Sequence, residues 1–134
     1  MDFMVNIRDN TKALHLASEK TGFIKRLIEG KASKEGYIEY LFNLHAMYKA
    51  IEDTIDKHSD HEGIKNFATK ELYRAELIKK DLELLAGDKL SEMKLLPSTQ
   101  ACVARIHEVD KNYPELISTY AYVRFIADLF GGRI

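Results

Sequence analysis

The sequence predicts an all-α protein folded as a compact multi-helix bundle. Its 134 residues include only two prolines and seven glycines, so few residues oppose helix formation. One run of apolar positions has the 4-3-4-3-4 spacing of a single helix face. This run comprises Tyr37, Leu41, Leu44, Tyr48, Ile51 and Ile55. No segment shows the period of two that is typical of a half-buried strand.

The first predicted helix covers residues 10–29. Its inward-facing side chains are expected to be Leu14, Ala17, Ile24, Leu27 and Ile28. Gly30 is typical of a helix end, and Ser33 is a good N-cap for a second helix that carries the run from Tyr37. The sequence therefore predicts two consecutive helices joined by a short connection.

Three further helices are predicted. One covers residues 64–86, ends at Gly87 and buries an apolar stripe made of Leu72, Ala75, Ile78, Leu82 and Leu85. Another begins at Pro97 and runs to residue 109, and Pro114 lies in the first turn of the last one. That last helix carries Leu116, Ile117, Tyr120 and Phe125. Since neither a repeat nor a long linker interrupts the pattern, we expect one domain over residues 1–134.

Composition and charge narrow the class of protein. Twenty basic and twenty-one acidic residues leave a net charge of −1, which argues against a general nucleic-acid binder. The sole cysteine, Cys102, cannot form an internal disulfide and is expected to be a buried small apolar residue. No apolar run reaches the ~20 residues of a membrane helix, and the N-terminus lacks the pattern of a signal peptide. We expect a cytoplasmic protein without a membrane anchor.

Most of the five histidines suggest no particular chemistry. His45 and His107 are single helical histidines, expected at the surface or in a satisfied core position. His58 and His61 fall in a polar segment, where a solvated loop is favoured over a transition-metal site. His15 differs because Glu19 follows one helical turn later and can accept a proton from its ring. Metal-ligating histidines use this arrangement, although surface histidines share it.

The segment from Tyr122 to Gly132 ends in two adjacent glycines after a strongly helical stretch. Each glycine costs a helix about 1 kcal/mol relative to alanine. Either the pair terminates the helix, or the backbone bends there and approaches a flat ligand that only glycine admits.

Two sets of residues, taken together, resemble the heme oxygenase family. The first set comprises Thr11, Lys12, Ala13, Leu14, His15, Glu19, Phe23, Gly30, Tyr37, Tyr48 and Glu52. The second comprises residues 106–109, residues 114–116 and the Tyr-x-Arg-Phe-x-x-Asp-Leu-x-Gly-Gly segment that begins at Tyr122. The resemblance extends in order from about residue 8 to residue 133, and it implies a helical fold of the heme oxygenase-like type.

The resemblance implies a heme site that begins on the first helix. His15 matches the proximal heme ligand of the family, and Glu19 matches the hydrogen-bond partner of that ligand. Arg8 and Lys12 match basic positions that face the heme propionates, and Tyr122 matches a tyrosine at the same edge.

On the distal side of the implied site, two residues match the family and two differ from it. Asp128 matches the aspartate that holds a water network beside bound dioxygen, and the backbone of Gly131 matches a glycine that lies over the heme. Ala127, however, stands where the family has a heme-contacting glycine, and Phe130 replaces a small residue. The extra methyl group of Ala127 is expected to crowd the heme.

The implied activity is the oxidative cleavage of heme, as cofactor and substrate, to biliverdin, ferrous iron and carbon monoxide. It requires O₂ and an external electron donor such as a reductase, a ferredoxin or a flavodoxin. Two other functions stay open. One is a non-catalytic heme-binding or sensing protein, and the other is a non-heme iron protein that uses His15, Glu19 and Glu52.

The family continues beyond the matched region with further helices that wall the heme pocket. The resemblance covers roughly the first two-thirds of that fold. We therefore expect that the chain is incomplete, or that a second copy or another chain completes it.

Overall fold

The computed structural model describes residues 2–131, apart from the side chains of residues 127, 128, 130 and 131. This part of the chain is helical and contains no strand, so the all-α prediction is confirmed. Its α-helices are α1 (Phe3–Glu19), α2 (Gly22–Ile28), α3 (Lys34–Lys57), α4 (Ala75–Ala86), α5 (Pro97–Asn112) and α6 (Ile117–Gly131). Short 3-10 helices cover Lys65–Phe67, Lys70–Leu72, Gly87–Glu92 and Pro114–Leu116. None of the described helices is both long and apolar enough to cross a membrane.

The chain divides into two compact units, Met1–Tyr37 and Ile38–Ile134. The first unit contains α1, α2 and the beginning of α3, and the second contains the rest of α3 with α4, α5 and α6. The assignment of residues 1–134 to a single heme oxygenase-like domain stays a prediction.

The prediction of one continuous helix over residues 10–29 is wrong. The chain forms α1 and α2 instead, because Gly22 begins α2 with a φ of 59°, a left-handed conformation that favours glycine and interrupts a helix. The predicted inward face is wrong as well, since Leu14 is 75% exposed and Ile28 is 56% exposed. Asp2 caps the beginning of α1, where its carboxylate accepts a hydrogen bond from the Met4 backbone N–H.

The helix α3 begins and packs as the sequence predicts. The Ser33 hydroxyl oxygen accepts a hydrogen bond from the Gly36 backbone N–H at 3.0 Å, which is the geometry of an N-cap. Every member of the predicted stripe is buried except Tyr37. The core of the second unit forms around this stripe, with further buried side chains from Ile64, Ala75, Ile78, Leu82, Ile106, Ile117, Ala121 and Phe125.

The prediction of one helix over residues 64–86 is also wrong, because α4 begins only at Ala75. The Glu52 carboxylate, which comes from α3, accepts backbone hydrogen bonds from Arg74 at 2.6 Å and from Ala75 at 3.1 Å. These N–H groups have no partner within the helix, so a carboxylate from a distant part of the chain fixes its start. Gly87 ends α4 with a φ of 54°, as predicted.

The last two helices begin at or near the two prolines, as predicted. Pro97 is the first residue of α5, which extends three residues beyond the predicted end. Pro114 lies in a 3-10 turn that leads directly into α6. On α6, Ile117 and Phe125 are buried as expected, whereas Leu116, which was predicted in this helix, lies in the preceding 3-10 turn and is 43% exposed.

Asp110 joins the end of α5 to the end of α3. Its carboxylate accepts hydrogen bonds from Lys57 Nζ at 2.8 Å and lies 2.7 Å from His58 Nε2. The hydrogen bond from Lys57, aided by His58 and opposed by partial burial, holds the pKa of Asp110 below its ordinary value. His58 is therefore bound to a carboxylate and half-buried, which corrects the expectation of a solvated loop for this residue.

We expect Asp110→Asn to weaken the acid dependence of stability. A carboxylate whose pKa is lower in the folded than in the unfolded protein stabilises the fold above its unfolded pKa, and this contribution is lost as the pH falls. At pH 7 the variant should lose about 0.2–1 kcal/mol of unfolding free energy, the range for partly exposed ion pairs. Urea titrations between pH 7 and pH 3 measure the difference, which should vanish at the acid end.

The control for this experiment is Asp53→Asn, which removes an exposed pair with Lys49 within α3. That variant should follow the acid dependence of the wild type more closely. Parallel curves for wild type and Asp110→Asn would contradict the assignment.

Candidate functional site

The first candidate site lies on α1, where His15 and Glu19 form the expected pair. His15 Nε2 and Glu19 Oε1 are 2.9 Å apart, and both side chains are exposed. Because the two residues are four apart in a helix, they project from the same side. The other ring nitrogen, Nδ1, has no hydrogen-bond partner among the described residues and can accept a metal ion.

Two cationic side chains share a cleft with His15. The cleft has a volume of about 540 Å³ and is lined by Arg8, Asp9, Thr11, Lys12, His15 and Leu16. Arg8 contacts the neighbouring Asp9 at 3.4 Å, whereas Lys12 forms no salt bridge within the described part of the chain. An imidazole beside two basic side chains suits a ligand that combines a metal ion with anionic groups.

The second group of candidate residues lies on α6. Tyr122 is 54% exposed and its neighbour Val123 is 62% exposed, while Ala121 and Phe125 are buried. Ala127, Asp128 and Gly131 lie in the same helix, but their side chains fall outside the described residues, and so does Gly132. Apart from Arg124 and Asp128, the sequence of α6 carries no charged residue, so its exposed side suits an apolar ligand surface.

Aromatic residues support α6 from its buried side. The Tyr48 hydroxyl donates a hydrogen bond to the Arg124 backbone oxygen at 3.2 Å. The ring of Phe125 stacks on the ring of Tyr48 at a centroid distance of 5.9 Å and on the ring of Tyr73 at 6.3 Å. The sequence analysis missed Tyr73, and it placed Tyr48 in the apolar stripe and in the resemblance without predicting these contacts.

A separate polar cleft of about 360 Å³ lies in the second unit. It is lined by His45, Lys49, Glu52, Asp53, Asp56, Tyr73, Ala75, Glu76 and Lys79. Burial, together with the charges of Lys49 and Lys79, lowers the pKa of His45 and favours its neutral ring. Burial raises the pKa of Glu52, although the hydrogen bonds from Arg74 and Ala75 oppose the rise.

The non-heme iron interpretation finds no support in these surroundings. Glu52, one of its three proposed ligands, already binds the backbone N–H groups at the start of α4. In the described part of the chain, no group of three histidine, cysteine or acidic side chains is arranged to hold a metal ion.

The remaining single residues show ordinary structural roles. His61 Nδ1 accepts a hydrogen bond from the Gly63 backbone N–H at 3.1 Å, and His107 is exposed. Cys102 is half-buried at the edge of the core rather than fully buried as expected.

Comparison with known sequences shows similarity along the whole chain. The family model described as heme oxygenase matches residues 1–134. Heme oxygenase 1 of the cyanobacterium Nostoc sp. is 33% identical over 129 residues, which is 96% of this chain and 54% of that protein. Heme oxygenase 2 of Rattus norvegicus is 34% identical over 130 residues, which is 96% of this chain and 41% of that protein. The chain thus spans about half the length of the curated relatives it matches, or less.

Solved structures show the same similarity in three dimensions. Heme oxygenase-1 from the cyanobacterium Synechocystis sp., solved in complex with heme, matches with a TM-score of 0.86 and 31% identity, over 96% of this chain and 59% of the other. Heme oxygenase from Leptospira interrogans matches with a TM-score of 0.87 and 28% identity, over 99% of this chain and 65% of the other. These matches confirm the predicted fold type.

Proposed function

The chain belongs to the heme oxygenase family, and we propose that it binds heme through His15 and cleaves it oxidatively to biliverdin, ferrous iron and carbon monoxide. The observation that carries this proposal is the 2.9 Å contact of His15 Nε2 with Glu19 Oε1, beside a cleft that Arg8 and Lys12 line. This arrangement occurs in a chain whose family acts on heme.

The chemistry of the described residues fits heme. Its iron needs a neutral imidazole nitrogen, its two propionates need cations, and its ring needs apolar surface. On α1, His15 offers an unpartnered Nδ1, and Arg8 and Lys12 offer the cations. On α6, Tyr122 and Val123 offer exposed, uncharged surface. When bound, heme supplies the iron that activates O₂ and the ring that is cleaved.

Each residue of α1 then has a proposed task. Glu19 accepts the proton of the ring nitrogen that faces it, which fixes the tautomer and the orientation of His15. With the ring proton held on the nitrogen that faces Glu19, the other ring nitrogen presents its lone pair to the iron. Arg8 and Lys12 neutralise the propionates, which would otherwise be costly to bring against a protein surface.

In this proposal the residues of α6 also serve the cofactor. Tyr122 would help to hold the propionates, and the backbone at Ala127 and Gly131 of the same helix would help to hold the ring. Asp128 would hold water molecules and a proton near the place where heme would activate O₂. All of these tasks require residues 1–134 to work as one heme oxygenase-like domain, which we also propose.

Titration of the protein with hemin, followed by reduction with ascorbate in air, tests the proposal. A one-to-one Soret band and the appearance of a bile pigment support it. A Soret band without bile pigment would favour the second candidate, a heme-binding or sensing protein, which the family departure at Ala127 favours. The absence of any Soret band would refute both.

We expect Arg8→Ala with Lys12→Ala to weaken heme binding. Each partly exposed ion pair contributes about 0.2–1 kcal/mol, so the double variant should raise the dissociation constant about 2- to 30-fold. Fluorescence or absorbance titrations measure the change, and the isomers of the bile pigment report whether the heme has turned in its plane. The matched control is Lys25→Ala with Arg26→Ala, which removes two cations from α2. Equal affinities for both double variants would show that the propionates lie elsewhere.

We further propose an external electron donor, a reductase, ferredoxin or flavodoxin, because the proposed oxidative cleavage of heme by O₂ consumes electrons. A second copy or a completing chain is proposed to cover apolar side chains such as Leu14 and Leu129, which are 75% and 40% exposed. Sedimentation with and without hemin tests for association. A cytoplasmic location stays a prediction that rests on the single cysteine.

A further inference from the structure

Phe125 stacks on two tyrosines that come from different parts of the chain. Tyr48, on α3, lies nearly parallel to Phe125 with an interplanar angle of 9°, and Tyr73, just before α4, lies at 29°. Phe125 is 2% exposed, so this stack is part of the core of the second unit. The stack therefore fixes one side of α6 at a point two residues before Ala127.

Hydrogen bonds and charge hold the orientation of Tyr73. Its hydroxyl donates a hydrogen bond to Asp56 Oδ1 at 2.7 Å, and Lys70 Nζ lies 4.3 Å from the centre of its ring. Lys70 also donates to both oxygens of the Asp56 carboxylate, at 2.8 and 2.6 Å. Burial and the neighbouring carboxylate raise the pKa of the Tyr73 phenol, so it remains a hydrogen-bond donor.

This set of contacts exceeds what filling a gap in the core requires. A phenylalanine would supply the same apolar ring, but the hydroxyl of Tyr73 reaches the polar cleft that Asp56 also lines. The Tyr73 hydroxyl thus binds α3 through Asp56, and the Tyr73 ring packs on α6 through Phe125. Any rotation of Tyr73 would break one of these two contacts.

We propose that Tyr73 is a positioning residue for α6: by holding Phe125 against Tyr48, it sets the placement of the following turn, which carries Ala127 and Asp128. This inference rests on the proposed function, because the consequence we assign to it is the choice of the heme carbon that is attacked. Since α6 must lie within contact distance of the ring, a small shift of this turn changes which edge of the heme is attacked.

The first test uses the protein without heme and measures amide hydrogen exchange. Tyr73→Leu removes the stack, so exchange in residues 121–129 of α6 should become about 3- to 10-fold faster, the factor expected when one aromatic pair is lost. Tyr73→Phe keeps the stack and should change the rates less than about twofold. Residues 101–109 of α5 serve as an internal reference, and Tyr113→Leu, which alters a 55% exposed tyrosine, is the matched control.

The second test uses the heme-loaded protein and measures the isomers of the bile pigment. Tyr73→Leu should yield a mixture where the wild type yields one predominant isomer, and Tyr73→Phe should restore most of the wild-type selectivity. Asp56→Asn, which keeps a hydrogen-bond acceptor but removes the charge, should shift the isomer ratio no more than Tyr73→Phe does. If Tyr73→Leu does not fold, Tyr73→Met, which removes the stack but fills more of the volume, takes its place in both experiments.

The two proposals can fail separately. If the wild type forms no bile pigment, the proposed function fails, and the exchange experiment on the heme-free protein still decides whether Tyr73 positions α6. Equal acceleration of exchange in α5 and α6 would show a general loss of stability and would overturn the inference. Wild-type exchange in α6 together with an unchanged isomer ratio in Tyr73→Leu would overturn it as well.

Discussion

Replacement of His15 by alanine should abolish the Soret band of the hemin complex or shift it to that of a complex with a different ligand. The side chain of His15 is exposed, and Glu19 holds only one of its nitrogens, so its removal should not disturb the fold. Without this imidazole the iron loses its strongest protein bond, whereas the apolar contacts of the ring persist. Added imidazole should therefore bind in the vacated position and restore the spectrum, as measured by absorbance titration.

Two further variants make the result specific. Glu19→Gln keeps His15 but weakens its orienting hydrogen bond, so affinity should fall by about 10- to 100-fold, the usual effect of losing such a partner. His45→Ala removes a half-buried histidine from the polar cleft of the second unit and should leave the spectrum unchanged. An unchanged spectrum in His15→Ala, with a changed one in His45→Ala, would move the ligand to His45.

The contacts that the sequence predicted correctly are local. The pairing of His15 with Glu19 follows from a separation of four residues on a helix, and the N-cap at Ser33 from a separation of three. The apolar stripe on α3 could likewise be predicted, because a helix of 24 residues repeats its apolar positions often enough to define a face.

The failures have their cause in contacts between distant residues. The helix predicted over residues 64–86 contains no proline or glycine that would delay its start beyond residue 64, yet α4 begins at Ala75 because the carboxylate of Glu52 binds there. A residue 23 positions away gives no signal in the local pattern. The stacking of Tyr73 on Phe125 is hidden for the same reason, since the two residues lie 52 positions apart.

One signal of the candidate site was present in the sequence and was not used. Tyr48, Glu52 and Asp56 follow one another at intervals of four on α3, which puts a phenol and two carboxylates on one side of a single helix. All three side chains proved to hold other elements: α6 through Arg124, α4 through Ala75, and Tyr73. A column of polar side chains along one side of a helix thus indicates contacts with other elements even when its partners are unknown.

The residue most open to a gain of activity is Ala127. In the heme oxygenase family a glycine at this place allows the backbone of the distal helix to contact the heme, and α6 runs through Ala127 as regular helix. A methyl group forced into such a contact costs about 1–3 kcal/mol. The helix must then move away from the ring, which would also move Asp128 away from the place where it is proposed to hold a proton. We therefore expect the unmodified chain to form biliverdin slowly.

Ala127→Gly should accelerate biliverdin formation, although glycine costs the helix about 1 kcal/mol. Single-turnover absorbance measurements of both proteins, with ascorbate or a reductase as electron donor, give the two rates directly. The matched control is Ala104→Gly, at an exposed position of α5, which imposes the helix cost without relieving any contact with heme. Ala104→Gly should have a lower melting temperature than the unmodified chain and should form biliverdin at the same rate. Efficient biliverdin formation by the unmodified chain, with no gain in Ala127→Gly, would show that α6 already accommodates the methyl group and that heme cleavage does not require glycine there.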